Sequence, residues 1–217
     1  MNRYKLVIFD MDDTLISSGS TWVHAELKLY AHLGHPYSAE AASGYKGMNA
    51  IDVGRSICRF CRPDNLTEDE CGLMLRGWLL EEFHGTLNPM PGADSLLNSL
   101  YGRIDMMVAS GSPAEGIRSV LDRLGWDRYF KQIISSEEVA KGKPSPDVFI
   151  EAARRMSCAP SDALVIEDSL HGLRAAQNAG MDYIIIPRPD DLLIQREAPL
   201  VFPRLDEIPL GLVLGDG

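Results

Sequence analysis

The chain has 217 residues, of which 45% are hydrophobic and 24% are charged, a balance typical of a globular protein with a sizeable core. Its 21 basic and 31 acidic residues give a formal net charge of −10, which disfavours nucleic acid and anionic membrane surfaces as partners. A small phosphorylated ligand remains compatible with this charge, because one bound cation and a few placed basic side chains outweigh it locally. No stretch reaches the ~20 apolar residues of a membrane-spanning helix, and no signal peptide precedes the first predicted strand. We therefore expect a cytoplasmic protein.

The most informative stretch lies near the N-terminus, where an apolar run ends in three closely spaced acids. Leu6 to Phe9 are strand formers without a polar interruption, which is typical of a strand buried on both faces of a parallel sheet. Asp10, Asp12 and Asp13 follow at once, and their mutual repulsion needs a cation or a shared proton to offset it. Since open α/β sheets bind ligands at the carboxyl ends of their strands, this stretch predicts a ligand site.

Residues 17 to 86 carry helical patterns and no strand pattern. The predicted helices cover residues 21–34, 50–61 and 67–83, and Thr67 with Glu70 has the form of a capping box. Cys58 and Cys61 form a CxxC motif within the second of these helices. Because no second CxxC and no suitably spaced pair of His accompanies it, we interpret these cysteines as reduced thiols rather than zinc ligands.

Strands and helices alternate in the remainder of the chain. The predicted strands cover 104–109, 132–134, 163–166 and 183–186, and the predicted helices cover 91–100, 113–124, 146–156 and 169–179. This alternation predicts a parallel, doubly wound sheet. The tail from Pro187 has a weak pattern, and we assign it one short strand at 200–202.

Polar side chains follow four of the predicted strands at the point where each strand ends. Because the carboxyl ends of parallel strands meet at one edge of the sheet, we expect these side chains to converge. They are Asp10 and Asp12 after the first strand, Ser110 after the second, Lys143 beyond the third, and Glu167 with Asp168 after the fourth.

These converging groups match the parts needed for phosphoryl transfer. Asp10 and Asp168 offer the hard oxygen ligands that Mg²⁺ prefers, and the ion would offset the charge that repels a phosphate. Asp10 could attack phosphorus and form an aspartyl-phosphate, while Asp12 protonates the leaving oxygen. Lys143 and Ser110, with the backbone N–H groups after Ser110, would hold the phosphate oxygens.

Four motifs occur in the order found in the haloacid dehalogenase-like (HAD) phosphohydrolases, which the sequence resembles. They are Phe9–Leu15, Ala109–Pro113, Lys141–Phe149 and Glu167–Ala176. The helical insert resembles the small α-helical cap of the β-phosphoglucomutase-like branch. The resemblance implies an α/β fold with a doubly wound, Rossmann-like core of residues 1–15 and 86–217. It also implies an inserted all-α helical-bundle cap of residues 16–85, and we expect a monomer.

The resemblance further implies a role for each matching residue. Asp10 would be the nucleophile and Asp12 the general acid and base. The metal group would comprise Asp10, Asp12 through its backbone carbonyl, Asp168, and Glu167 close by. Ser110 and Lys143 would act on the phosphate. The substrate-binding residues predicted in this way are Thr14, Trp22, Lys46, Gly47, Gly111 and Ser112.

Asp13 departs from the family pattern, which usually has Gly at this position. We expect a local adjustment of the backbone there rather than a loss of chemistry, with an effect of the added charge on metal affinity. His171, within the fourth motif, we interpret as exposed and without a role.

Asp12 favours hydrolysis of a phosphate ester, because the dehalogenase and phosphonatase branches lack an acid two residues after the nucleophile. The cap of β-phosphoglucomutase contributes a His and an Arg where this chain has Trp22 and Ala50, which favours a phosphatase over a mutase. Sugar phosphatases carry a Trp near the position of Trp22, which favours a sugar or polyol phosphate over phosphoglycolate. A mutase, a phosphoglycolate phosphatase and a non-catalytic phosphate-binding protein stay as alternatives, and Lys46 is either a substrate contact or a solvated loop residue.

Overall fold

The computed structural model describes residues 3–188 and 191–215. Its strands are β1 (Leu6–Phe9), β2 (Asp105–Ser110), β3 (Gln132–Ser135), β4 (Ala163–Glu167) and β5 (Asp182–Ile185). Its helices are α1 (Gly19–His32), α2 (Ala39–Ser43), α3 (Ala50–Cys61), α4 (Glu68–Glu82), α5 (Ala93–Leu100), α6 (Ala114–Leu124), α7 (Asp147–Arg155), α8 (Leu170–Ala179), α9 (Leu192–Glu197) and α10 (Leu210–Leu214). Among the described residues, no helix is both long and apolar enough to cross a membrane.

The five strands form one parallel sheet in the order β3-β2-β1-β4-β5, which confirms the predicted doubly wound, Rossmann-like architecture. The order reverses at β1, which pairs with β2 on one side and with β4 on the other. Because Phe9 is in register with Val108 and Ile166, the residues that follow these three strands emerge side by side.

The apolar run of β1 belongs to both faces of the sheet. Successive side chains of a strand point to opposite faces. Val7 and Phe9 pack in the cluster that also includes residues of α1, α3 and α4, whereas Leu6 and Ile8 pack with residues of α7 and α8. Both faces are covered, which explains why β1 has no polar alternation.

Helices α3 and α4 approach each other very closely at two glycines. A Cβ atom on Gly54 would lie 2.5 Å from the carbonyl oxygen of Cys71. A Cβ atom on Gly72 would lie 2.9 Å from the carbonyl oxygen of Ile51. These glycines therefore permit backbone contact between the helices. The cysteines on these helices, Cys58, Cys61 and Cys71, are free thiols.

The chain leaves and rejoins the sheet through two adjacent segments. Ser17 donates its backbone N–H to Asn88 over 2.8 Å, and Met90 donates to Leu15 over 2.8 Å. All regular elements between these segments are helices, α1 to α4. The division into a core of 1–15 and 86–217 and a cap of 16–85 stays a prediction, with which this junction agrees.

The tail differs most from the sequence-based expectation. Residues 200–202 form one isolated bridge, between Val201 and Ile185, rather than a strand. Helices α9 and α10 were not predicted, nor was α2, because each has only five or six residues and shows little periodicity.

Candidate active site

Asp10 and Lys143 form a buried ion pair at the carboxyl edge of the sheet. The Lys143 Nζ lies 2.7 Å from Asp10 Oδ1 and 2.7 Å from Glu167 Oε1, and it donates to the Ala109 carbonyl over 3.2 Å. Each hydrogen of the ammonium group therefore has one acceptor. The predicted convergence of groups from separate strands is found here.

Burial and charge act in opposite directions on these three groups. Burial alone would lower the pKa of Lys143, but the carboxylates of Asp10 and Glu167 outweigh it and raise that pKa. Burial raises the pKa of Asp10 well above its usual range, with Lys143 offsetting part of this effect. For Glu167, burial is outweighed by Lys143 and by hydrogen bonds from Ser169, so its pKa falls below the ordinary value.

Glu167 has hydrogen-bond donors on both carboxylate oxygens. Its Oε2 accepts the backbone N–H groups of Asp168 and Ser169 over 2.8 and 2.7 Å, and the Ser169 hydroxyl over 2.9 Å. A side chain on Gly172 would overlap this carboxylate, so only glycine fits there. Glu167 therefore holds Lys143 and the loop after β4 in place, and its predicted part in metal binding stays a prediction.

Asp168 completes a group of three carboxylates that suits a divalent cation. Its ligand oxygens and those of Asp10 and Glu167 lie within 4.8 Å of one another. Burial raises the pKa of Asp168 to about 7, although Lys46 opposes this shift. Lys46 Nζ forms an ion pair with Asp168 Oδ2 at 2.6 Å. Hard oxygen atoms with excess negative charge fit a cation of the Mg²⁺ type.

Asp12 is partly buried and accepts four side-chain hydrogen bonds. Ser110 and Ser112 donate to its Oδ2 over 3.0 and 2.7 Å. Ser18 and the Trp22 indole donate to its Oδ1 over 2.7 and 3.0 Å. Burial raises the pKa of Asp12, and these four donors oppose the increase.

Three residues that were predicted to bind phosphate or substrate contact Asp12 in the structure. Ser110, Ser112 and Trp22, expected to contact phosphate or substrate, all hydrogen-bond to Asp12. Ser18 was not predicted as a site residue, because the sequence shows only that it lies six residues after Asp12. Thr14 is buried and donates to Asp168 Oδ1 over 3.4 Å, so it lies behind the acidic group.

Asp13 has the left-handed backbone conformation that explains the usual Gly at this position. Its φ is 56°, which Asp tolerates better than most residues. Its Oδ1 accepts the N–H groups of Ser18 and Gly19 over 3.1 and 3.0 Å, at the start of α1. Arg188 pairs with Oδ2. The carboxylate therefore stabilises the N-terminus of α1, and Arg188 offsets its charge.

The loop of Lys46 and Gly47 packs directly on the edge of the sheet. Gly47 has a φ of 85°, and a Cβ there would overlap the Ser169 hydroxyl. Gly111 is equally close, since its Cβ would lie 2.5 Å from the Met48 carbonyl oxygen. The prediction that His171 is exposed was wrong. It is partly buried, and its Nδ1 lies 2.7 Å from the Lys46 carbonyl oxygen.

Beside these contacts, a cavity of about 450 Å³ is bounded by this loop, α1 and the acidic edge of the sheet. On the sheet side the cavity is lined by Asp10, Asp12, Asp168 and Gly111, and on the helical side by Trp22, Glu26, Tyr37, Tyr45, Lys46 and Gly47. Ser110 and Lys143 lie behind this lining. Glu26, Tyr37 and Arg188 were not predicted as site residues, because nothing in the sequence brings them to the acids.

Comparisons with known proteins agree with this geometry. The profile described as haloacid dehalogenase-like hydrolase matches residues 7–186. Fructose-1-phosphate phosphatase YqaB of Escherichia coli is 30% identical over 185 residues, covering 84% of this chain and 96% of that protein. The bifunctional riboflavin kinase/FMN phosphatase of Arabidopsis thaliana is 30% identical over 188 residues, covering 83% of this chain, which spans about half (48%) of that protein.

A solved structure confirms the fold at lower identity. β-Phosphoglucomutase from Clostridium difficile superposes with a TM-score of 0.85 at 21% identity, covering 96% of this chain and 95% of that one. Motifs, sheet topology and relatives thus point the same way. The chain belongs to the haloacid dehalogenase-like hydrolase family, with the fold of its β-phosphoglucomutase-like branch.

Proposed function

We propose that the chain is a Mg²⁺-dependent phosphatase that hydrolyses a small phosphorylated metabolite, a sugar or polyol phosphate, through an aspartyl-phosphate intermediate. The class of enzyme, a phosphoric monoester hydrolase, follows from the family and from relatives that are named phosphatases. The observation that carries the proposal is the Asp10–Lys143 pair at 2.7 Å, at the edge of a cavity next to Asp168.

Asp10 acts as the nucleophile in this proposal. One of its oxygens is held by Lys143, which leaves the other to attack phosphorus. As the new bond from this oxygen to phosphorus forms, the bond to the ester oxygen breaks and the alcohol leaves. Lys143 offsets the negative charge that would otherwise prevent two anions from meeting.

Asp12 supplies and removes the protons. It gives a proton to the leaving oxygen in the first step and takes one from the attacking water in the second, so that the Asp10 carboxylate is regenerated and phosphate is released. Ser18 and Trp22 on one oxygen, and Ser110 and Ser112 on the other, fix the direction of its carboxyl group.

The acidic group is the proposed Mg²⁺ site. Asp10, Asp168 and the backbone carbonyl of Asp12 would hold the ion, which when bound neutralises phosphate charge and polarises the phosphoryl group. Lys46 would exchange its ion pair with Asp168 for a contact with the substrate.

The substrate class is argued from the cavity and from the relatives. A volume of about 450 Å³ is in the range of sites for small metabolites. The Escherichia coli relative is named for fructose 1-phosphate, and Trp22 lies in the cavity wall, where an indole can cover a sugar.

A β-phosphoglucomutase-type mutase is the second candidate, because the solved mutase shares the fold. The resemblance to β-phosphoglucomutase implies a His and an Arg at the positions of Trp22 and Ala50, and these two residues argue against a mutase. The Trp22 indole N–H donates to Asp12 and cannot accept a proton, and Ala50 is buried and without a polar group. Phosphoglycolate hydrolysis and phosphate binding without turnover are the remaining alternatives.

The test measures phosphate release by the purified protein with Mg²⁺ or with EDTA. The panel contains fructose 1-phosphate, glycerol 3-phosphate and phosphoglycolate, with isomerisation of glucose 1-phosphate followed alongside. We expect Mg²⁺-dependent release, fastest from a sugar or polyol ester. No release from any ester would refute the phosphatase, and faster isomerisation than hydrolysis would favour the mutase. Asp122→Asn, on the exposed face of α6, is the control for Asp10→Asn.

A further inference from the structure

Glu26 is a buried carboxyl group in the cap-side wall of the cavity that the proposed chemistry does not use. Its side chain is 5% exposed, and its Oε2 has no hydrogen-bond partner among the described residues. An unpaired polar atom removed from water costs free energy, and a buried hydrophobic residue would avoid that cost. The position therefore calls for an explanation other than packing.

The helix α1 directs Glu26 towards the reacting groups. Trp22, Glu26 and Tyr30 are spaced by four residues and thus lie on one face of α1, about 6 Å apart along its axis. Trp22 itself donates to Asp12. Glu26 consequently lies one helical turn beyond a residue that contacts the acid, in the cavity that Asp10 and Asp12 line on the other side. The alcohol part of a phosphate ester bound at Asp10 would extend into this cavity.

The surroundings of Glu26 contain hydroxyl groups and, in the part of the chain that the structure describes, no cation that pairs with it. Burial raises its pKa to about 7, and the opposing contribution comes from the hydroxyl of Tyr37. Tyr30 and Tyr45 also interact with it electrostatically. Lys46, in the same wall, is engaged with Asp168. A hydroxyl group on a ligand would donate to the unpartnered Oε2 of Glu26, whereas a carboxylate on a ligand has no hydrogen to donate to it.

We propose that Glu26 is a specificity-determining residue that accepts hydrogen bonds from hydroxyl groups of the substrate's alcohol part. The enzyme then prefers phosphate esters of polyhydroxylated alcohols to esters that carry a second anionic group, such as phosphoglycolate. This inference rests on the proposed phosphatase function, which it narrows to a substrate class.

The test compares two esters that differ in their alcohol part. Fructose 1-phosphate has several free hydroxyl groups, and p-nitrophenyl phosphate has none. Glu26→Leu removes the acceptor and keeps a similar volume, and Glu26→Gln keeps one carbonyl acceptor. Glu81→Leu, on the exposed surface of α4, is the matched control. Circular dichroism and the unfolding temperature verify that each variant is folded.

We expect Glu26→Leu to lower the ratio of kcat/KM for fructose 1-phosphate to that for p-nitrophenyl phosphate by roughly 10- to 100-fold, mainly through KM. Glu26→Gln gives a smaller decrease, and Glu81→Leu leaves the ratio unchanged. A ratio within twofold of the wild type for Glu26→Leu overturns the proposal. The proposal is also overturned if Glu26→Leu lowers kcat/KM for phosphoethanolamine more than kcat/KM for fructose 1-phosphate, because Glu26 would then recognise an ammonium group.

A binding measurement separates this inference from the proposed function. Calorimetry on the Asp10→Asn protein, with and without Glu26→Leu, compares the affinity for fructose 1-phosphate with that for inorganic phosphate. We expect Glu26→Leu to lower the affinity for fructose 1-phosphate by a factor at least ten times larger than the factor for inorganic phosphate. If the wild type hydrolyses neither ester, the phosphatase proposal fails and this comparison still decides the role of Glu26. Equal effects on both ligands, or no binding of the sugar phosphate, overturn it.

Discussion

Replacing Glu26 by Gln removes an ionisable group from the interior while keeping its shape. Burial raises the pKa of the Glu26 carboxyl from its ordinary value of 4.5 to about 7, although Tyr37 opposes the shift. Between pH 4.5 and about pH 7, Glu26 therefore keeps its proton in the folded chain and has released it in the unfolded chain. The free energy of unfolding therefore falls as the pH rises through this window. At about 1.4 kcal/mol for each pH unit, the loss is on the order of 3 kcal/mol above pH 7.

The sign of the effect distinguishes Glu26 from a carboxylate in a salt bridge. Its contribution to stability is fully present below the pKa of the unfolded chain and disappears as the pH passes the raised pKa of the folded chain. The Gln variant has no proton to lose at this position. We expect its stability relative to the wild type to increase between about pH 5 and about pH 8, by on the order of 3 kcal/mol.

Urea unfolding followed by tryptophan fluorescence measures this difference. Both proteins are compared at each pH in EDTA, so that groups common to the two cancel in the subtraction. Glu40→Gln, on α2, is the control for loss of a carboxyl from an exposed position. A constant difference between Glu26→Gln and wild type across this pH range would refute the reasoning, because it would mean that Glu26 titrates equally in the folded and unfolded chain.

Substitutions at four further positions test the site. Asp10→Asn abolishes phosphate release while the circular dichroism spectrum is kept, and retained turnover contradicts the nucleophile assignment. Lys143→Met leaves Asp10 and Glu167 buried without their cation and lowers the free energy of unfolding in EDTA by about 3–5 kcal/mol, measured with urea; a loss below 1 kcal/mol would refute the pairing. Asp13→Ala is less stable than Asp13→Gly by about 1–2 kcal/mol in thermal unfolding, because only glycine relieves the left-handed strain; equal stabilities contradict this. Trp22→Phe removes a donor to the catalytic acid and lowers kcat roughly tenfold in steady-state assays, and an unchanged kcat argues against that role.

The order of the strands made much of the site predictable. Leu6 to Phe9 contain no polar residue because both faces of β1 are covered, and a central strand of this kind has an unambiguous pattern. Once β1 was central and parallel, Asp10 and Asp168 had to emerge at the same edge. Lys143 was predictable for the same reason, although the sequence contains no indication of its contacts with both carboxylates.

Residues that reach the site from the helices were not predictable in this way. Glu26 has the sequence pattern of a polar residue on a helix surface, and only the packing of α1 reveals that it is buried. The conformation of Asp13 depends on a turn whose torsion angles the sequence does not encode uniquely, since Asp also occurs in extended loops. The short helices of the tail lack the length over which periodicity becomes informative.

The three acids at the end of β1 divide their contacts between the sheet and α1. Asp10 is fixed by Lys143, whereas Asp13 binds the backbone at the start of α1. Asp12 contacts both parts of the chain. One of its oxygens accepts from Ser110 and Ser112, and the other accepts from Ser18 and Trp22. Two of the four donors to Asp12, Ser18 and Trp22, thus lie at the N-terminus of α1, whereas Lys143, which holds Asp10, lies in the loop beyond β3. Because a buried carboxyl group needs its donors to remain oriented, the alignment of the proton donor depends on the position of α1, and so on the same helix that carries Glu26.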